Sequence, residues 1–291
     1  MDCIRRNVAF VMDDGYIFPT SVAITSLIHN NSRLNIHIIS DNISEDSCCL
    51  LKSMEKNDFR IFIHNVENPH RNLSKENIIK NLPANNTALL KFYIPDILNE
   101  EDVALYLDGD IIVRSDISEI FSIDMAEYFV CAVSDMSSDE HKHMLGVSEY
   151  FNSGVMLLNL KKIRDGGFVR KLVDYRLNGY NRFMDQDTFN VVFRDNVKLI
   201  GFEYNTTYST IGKESLENII REYGLSGIRT NDDLFNNSKI FHFSGKKKPW
   251  KSYMNVLSKV YNKYVKMSPY SNCDLTYVGE PGIRMFSDNI I

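Results

Sequence analysis

The first 110 residues constrain the fold most, because short β-branched apolar runs alternate there with helical patterns. Val8–Met12 reads as a strand, and Phe18–Asn30 as a helix with apolar residues spaced at Val22, Ile24, Leu27 and Ile28. Asn35–Ser40 reads as a second strand. A helix is expected from Ser44 to about Asn57, with Ser44 or Ser47 as cap and Glu45 and Asp46 suited to the first turn. Phe59–His64 is a third strand, Thr87–Leu98 a helix and Val103–Leu107 a fourth strand. Strand-helix-strand repetition at this pitch predicts right-handed βαβ units. The expected class is therefore α/β, with a central, mostly parallel sheet flanked by helices.

Past residue 110 the rhythm loosens. Ile111–Val113, Val130–Val133, Val155–Leu158 and Lys239–Phe243 are expected as strands, and Lys161–Leu177 and Asp185–Phe193 as helices. No composition shift or Gly/Ser/Pro linker divides the chain, so one domain is expected over 1–250. The segment 251–291 reads as an extension, helical at first and irregular from Ser268, whose helix carries Lys259, Lys263 and Lys266 with Tyr253, Tyr261 and Tyr264. Such a segment suits either packing on the domain or peripheral contact with an anionic membrane surface.

Composition narrows the function class. The net charge of −5 argues against a nucleic-acid partner, yet leaves room for a few lysines to hold a phosphate. The five cysteines form no CxxC pair and no zinc spacing, as expected of free thiols in a reducing compartment. The apolar stretch Val8–Met12 is too short for a signal-peptide core, and no run approaches the roughly 18 residues of a membrane helix. The expected location is cytoplasmic, with the inner face of the plasma membrane as the site of any peripheral contact.

Chemistry concentrates in a few segments. Leu105-Tyr106-Leu107-Asp108-Gly109-Asp110 is an apolar run ending in two aspartates one residue apart. This places carboxylates at the carboxyl end of a buried strand, the edge where open α/β sheets bind ligands. Two such acids repel unless a cation joins them; the plainer reading is a strand entering a polar turn. Phe241-His242-Phe243-Ser244-Gly245-Lys246-Lys247-Lys248-Pro249-Trp250 adds an imidazole for a metal and lysines for phosphate oxygens, although a lysine run is commonly a solvated loop. Together the two segments offer oxygen and nitrogen ligands and a phosphate counter-charge, a set that suits Mn²⁺ or Mg²⁺ on a diphosphate. Asp13-Asp14-Gly15-Tyr16 follows the first strand, where acids either accept from a ribose or base or cap a helix. Phe151-Asn152-Ser153-Gly154 precedes an apolar run. In Met184-Asp185-Gln186-Asp187-Thr188-Phe189-Asn190 the acids suit capping, while Gln186 suits hydrogen bonds to sugar hydroxyls.

In this order, YLDGDIIV, FNSGVMLLNL, DQDTFN and HFSGKKKPW resemble glycosyltransferase family 8, which includes bacterial lipopolysaccharide galactosyl- and glucosyltransferases and glycogenin. The likeness runs from Asn7 to about Trp250. It implies a GT-A fold, a UDP-sugar donor such as a UDP-hexose, a glycan or lipid-linked saccharide acceptor, Mn²⁺ and retention of anomeric configuration. Position by position, it implies Asp108, Asp110 and His242 as metal ligands and Gly245 and Lys248 as diphosphate contacts. Val11 and Asp13 match positions that hold uracil and ribose, and Asn152, Asp185 and Gln186 match positions around the transferred sugar. Two residues depart from the pattern. Gly15 stands at a nucleotide-contact position where bacterial members often carry asparagine. Lys91, in ALLKFYIPDIL, replaces the family's arginine near the donor sugar, keeping the charge but losing the planar fork.

No carboxylate stands out as a nucleophile in this set, so same-face attack is the expected route to retention. The rival reading is a phosphohydrolase of the haloacid-dehalogenase type, because DGDIIV superficially resembles DxDGT. The motif lies late in the chain for that family and lacks the threonine. A non-catalytic UDP-sugar-binding protein and a self-glucosylating protein are the remaining alternatives.

Overall fold

The computed structural model describes residues 5–69, 87–137, 139–251, 256–273 and 275. Among these, ten strands run in chain order: β1 (Arg6–Val11), β2 (Leu34–Ser40), β3 (Phe59–Asn65), β4 (Val103–Leu107), β5 (Ile111–Val113), β6 (Val130–Ser134), β7 (Phe151–Asn159), β8 (Val197–Leu199), β9 (Thr206–Thr207) and β10 (Ile240–His242). The chain forms two compact units. One gathers the residues up to Ile17, Arg33–Asp108 and Ile120–Leu199; the other gathers Phe18–Ser32, Gly109–Glu119 and the residues from Ile200 on.

The first unit is built on a seven-stranded sheet in the order β3-β2-β1-β4-β7-β6-β8. Its β1–β2, β2–β3, β1–β4 and β6–β8 ladders are parallel, while β7 runs antiparallel to both β4 and β6. The expected mostly parallel α/β sheet is therefore present, with one reversed strand at its centre. β4 is buried on both faces, as a strand in a covered sheet must be. Ala104 and Tyr106 join a cluster with Leu90, Phe92, Met156, Leu158, Phe189 and Phe193, while Leu105 and Leu107 are buried on the opposite side. Helices Leu160–Asp165, Phe168–Asn178 and Asp185–Phe193 supply the covering face, with Phe92 edge-on to Phe189 at 5.1 Å and Phe129 stacked on Phe193 at 5.3 Å.

Several boundaries differ from the sequence reading, each for a local reason. The second helix ends at Lys52 rather than near Asn57, because Lys56 and Phe59 close a tight turn through reciprocal backbone hydrogen bonds of 3.3 and 3.1 Å. Ser44 caps that helix, accepting from the Ser47 N–H. The helix expected over Thr87–Leu98 is a 3₁₀ stretch to Tyr93 followed by one α-turn, Ile94–Ile97. Pro95 has no N–H to bond Lys91 and instead occupies the start of the new turn. The helix expected over Lys161–Leu177 is split at Gly166-Gly167, where Gly167 takes φ +63°. β7 begins at Phe151, four residues before the apolar run, and carries Asn152, Ser153 and Gly154 into the sheet.

The second unit is built on a three-stranded sheet in the order β5-β10-β9, with β10 antiparallel to β5 and parallel to β9. Its aromatic core joins Phe235, Phe241, Phe243 and Tyr261, and the Arg114 guanidinium lies 3.8 Å from the Phe235 ring centre. The C-terminal helix Val256–Met267 buries Val256, Leu257, Tyr261, Tyr264 and Val265, and it exposes Lys259, Lys263 and Lys266. Its tyrosines thus serve packing; Tyr253 and the segment beyond Leu275 lie outside the described residues. Among the described residues no helix is long and apolar enough to cross a membrane.

A histidine pair, His37 buried and His64 half-buried, makes the sheet of the first unit acid-sensitive. His64 Nε2 lies 3.1 Å from His37 Nδ1, and His37 Nε2 lies 3.2 Å from the Asn7 Oδ1. Because Asn7 Oδ1 can only accept, His37 donates there, and as a neutral ring it accepts from the His64 Nε2–H. Burial, reinforced by the neighbouring His64, lowers the His37 pKa to about 4. Above pH 6.5 the ring is neutral whether folded or unfolded. As pH falls from 6.5 to 4 only the unfolded chain takes up the proton, so stability drops, by about 3 kcal/mol in all. Denaturant midpoints measured at pH 7, 6 and 5 check this. His37→Gln should flatten the decline over that window, and an equally steep decline in the variant would count against it.

Candidate active site

β4 leads directly into Asp108, whose N–H donates to the Gly154 carbonyl of β7 at 2.8 Å. The antiparallel register that sets Leu107 opposite Val155 thus brings the start of β7 to the end of β4. Lys91 reaches the same edge from the 3₁₀ stretch, only 6% exposed, with Nζ 3.0 Å from Asp108 Oδ1 and 2.8 Å from Asp185 Oδ2. Burial alone would push its pKa down, but Asp108 and Asp185 outweigh that and hold the ammonium well above the ordinary lysine value. Tyr106 donates its hydroxyl to Asp108 Oδ1 at 2.5 Å and offers its ring face to the Lys91 ammonium at 4.8 Å.

The first turn of the helix Asp185–Phe193 completes this group. Asp185 does not cap its helix; its Oδ2 accepts from Lys91 and, at 3.0 Å, from the Ser153 hydroxyl. Gln186 is fixed at both ends of its amide. Oε1 accepts from Asn152 Nδ2 at 3.1 Å and from the Ser153 N–H at 3.3 Å, and Nε2 donates to Asp135 Oδ2 at 3.1 Å. Asn152 also donates to Asp135, at 3.1 Å. Lys91, Asn152, Asp185 and Gln186, which come from three separate segments of the chain, therefore share one hydrogen-bonded set within the first unit.

At the end of β1, Val11 packs half-buried against the core, and Asp13 stands in extended backbone before a 3₁₀ turn, Asp14–Tyr16. The Asp13 side chain makes no capping hydrogen bond. Asp14 instead anchors the cap of the helix Glu45–Lys52, accepting from the Ser44 N–H at 3.1 Å and from its hydroxyl at 3.2 Å. Gly15 is exposed, and a Cβ there would come 3.1 Å from the Asp13 carboxylate.

In the second unit β10 delivers His242, 3% exposed, and the turn before β5 delivers Asp110, 7% exposed. His242 Nδ1 lies 3.0 Å from Asn205 Oδ1, which assigns the proton to Nδ1 and turns the Nε2 lone pair towards Asp110 Oδ1, 3.2 Å away. Two electron-rich atoms so close require a proton or a cation between them. Lys248 donates to Asp110 Oδ2 and, at 2.7 Å, to the Phe243 carbonyl. Burial works to raise the Asp110 pKa, but His242 and then Lys248 overcome it and hold the carboxyl well below the usual carboxylate range. Lys246 and Lys247 are exposed, so only one lysine of the run turns inward. Gly245, at φ +92°, makes the reversal that allows it, and Ser244 and Ser209 share a hydroxyl contact of 2.6 Å beside it.

Asp108 and Asp110 flank a single glycine, and one ligand atom each from Asp108, Asp110 and His242 lie within 4.8 Å of one another. Two hard carboxylate oxygens and an imidazole nitrogen fit a divalent cation such as Mn²⁺ or Mg²⁺. Sequence reasoning missed Asp135, Ser153, Tyr106, Asn205 and the buried Asp187. Asp135 alone carried a usable signal, as an acid directly after the apolar run Val130–Ser134.

The sheet order, with its reversed strand and its acids at one strand edge, is that of the GT-A fold. The solved galactosyltransferase LgtC, in complex with donor and acceptor sugar analogues, superposes with a TM-score of 0.72 at 20% identity, over 94% of this chain and 98% of that one. A family model described as glycosyl transferase family 8 matches residues 7–254, and the chain belongs to that family. Among its relatives, the lipopolysaccharide 1,2-glucosyltransferase of Escherichia coli (strain K12) is 27% identical over 91% of this chain and 79% of its own length. Glycosyltransferase GlyB of Streptococcus pneumoniae serotype 4 is 28% identical over 86% of this chain and 59% of its own. The family implies a nucleotide-sugar donor and a glycan acceptor.

Proposed function

We propose that the protein transfers a hexose, glucose or galactose, from a UDP-sugar to a saccharide acceptor with retention of configuration, in the synthesis of lipopolysaccharide or another surface polysaccharide. The convergence of Asp108, Asp110 and His242 carries this reading, because it supplies a cation site where a leaving diphosphate needs positive charge. The glucosyltransferase relative and the galactosyltransferase fold neighbour support a hexose donor.

In this reading a divalent cation held by the three side chains supplies Lewis-acid charge to the diphosphate. Lys248 adds a second positive charge, and the backbone at Gly245 leaves room for a close phosphate approach. Val11 and Asp13 hold uracil and ribose, beside the exposed Gly15. Asn152, Asp185, Gln186 and Lys91 bind the hexose hydroxyls. Their mutual hydrogen bonds set each polar group before substrate arrives, which lowers the ordering cost of binding.

Retention follows from attack on the face that the leaving group vacates. The anomeric C–O bond to UDP breaks, the acceptor oxygen bonds the anomeric carbon on the same side, and the acceptor proton passes to a β-phosphate oxygen. The test is a screen of UDP-glucose, UDP-galactose and UDP-N-acetylhexosamines with Mn²⁺. Cation-dependent UDP release from one of the hexose donors is expected. No turnover of any UDP-sugar, or phosphatase activity in its place, would overturn the assignment.

A further inference from the structure

We propose that Asp187 is a positioning residue for sugar transfer, a buried carboxylate gripped by His141 and Tyr150 that fixes the turn presenting Asp185 and Gln186. The inference rests on the reading of those two residues as donor-sugar contacts.

Asp187 is 0% exposed, and His141 and Tyr150 are buried with it. Its Oδ1 accepts from the Tyr150 hydroxyl at 2.6 Å and lies 2.9 Å from His141 Nε2, while Oδ2 accepts from the Phe183 N–H at 2.8 Å. A charge that deep is costly unless fully hydrogen-bonded, and a packed apolar side chain would serve stability as well or better. The carboxylate therefore has a use other than filling the core.

That use is local. The hydrogen bond from Phe183 to Asp187 spans Met184, which sits at φ +50°, ψ −118°, a backbone region that side-chain-bearing residues rarely enter. Such a conformation persists where its surroundings dictate it; the Asp187 carboxylate holds the residue before Met184, and the Thr188 hydroxyl donates to the Met184 carbonyl at 3.2 Å. Met184 sets the direction in which the next two residues leave the chain. Asp185 then meets Lys91 and Ser153, and Gln186 meets Asn152 and Asp135. At the next turn the Asn190 amide pairs with both backbone groups of Phe151, which ties the same helix to the start of β7. His141 and Tyr150 both come from the segment joining β6 to β7, so the grip is anchored beside the sheet rather than within the helix.

Asp187→Ala is expected to lower kcat about a hundredfold, the scale of a small misplacement at a reacting centre, while KM for the UDP-hexose stays within about threefold. Tyr150→Phe, which removes one of the three hydrogen bonds, should cost roughly tenfold in kcat. In a Gln186→Ala background both substitutions should lose much of their further effect, because they act in part through that side chain and in part through Asp185. A kcat within about threefold of wild type in folded Asp187→Ala would overturn the proposal, as would losses that multiply in the double variants. If Asp187→Ala does not fold, Tyr150→Phe and its double variant decide by the same criteria. Should the wild-type protein turn over no UDP-hexose, the reading of the site fails separately. Amide hydrogen exchange over residues 183–187 then still decides the positioning claim: about tenfold faster exchange in Tyr150→Phe supports it, and unchanged exchange overturns it.

Discussion

Asp110→Asn is expected to lower hexose transfer by roughly a thousandfold or more, equivalent to about 4 kcal/mol of lost stabilisation at the departing diphosphate. The substitution keeps the shape of the side chain and removes only its charge. Asp110 is the carboxylate on which His242 and Lys248 both converge, and His242 and Lys248 hold it ionised despite its burial. The amide would leave the imidazole and the ammonium without their common anion, so any bound cation would lose one of its two charged ligands. Excess EDTA should abolish wild-type transfer to the same degree, and added Mn²⁺ should restore it. Asn205→Ala should weaken cation affinity more mildly, by roughly ten- to a hundredfold, because Asn205 orients the imidazole rather than holding the cation. Full transfer by Asp110→Asn in the presence of chelator would remove the metal from the account.

The largest effect on stability is expected at Lys91. Its ammonium is almost fully buried and stands between Asp108 and Asp185. Lys91→Met keeps the length and the apolar stem but leaves two carboxylates facing each other without a cation. Breaking a buried pair in this way costs about 3–5 kcal/mol, and the partial exposure of Asp108, 26% at the side chain, favours the lower end. Urea midpoints should fall accordingly, and transfer should be lost as well. Lys91→Arg, which restores the residue expected at this position from the family resemblance, should keep the fold, since a guanidinium can fork between the two carboxylates. An unchanged midpoint in Lys91→Met would mean that the ion pairs contribute nothing to folding.

The sequence made the early strands legible because their apolar runs are bounded by turn residues: β4 and β5 begin and end where the pattern places them. The pair Asp108 and Asp110 was legible for the same reason, as acids at the end of such a run. β7 was read four residues short because Asn152, Ser153 and Gly154 look like a loop; their polar groups are satisfied by Asp135, Asp185 and Gln186, which periodicity does not register. β8 sets Lys198 between its two apolar residues and β9 is two threonines, so neither shows the unbroken apolar run that marks β5. The acids of DQDTFN looked like capping residues, yet Asp185 binds a lysine 94 residues away and Asp187 a histidine 46 residues away. Partners at such separations are set by the register of the sheet, which no local window contains.

The reversed strand β7 has an evolutionary corollary. A parallel strand offers a catalytic edge only its last residues, whereas β7 offers its first ones, beside the last residues of β4. The segment between Asp135 and Tyr150 consequently leaves that edge and returns to it, with both feet planted beside the chemistry. Residues can be added to it on either side of the His141 contact without shifting a single rung of the ladder that seats the carboxylates. A lineage could remodel that arch to greet a new saccharide while inheriting the bond-breaking apparatus intact.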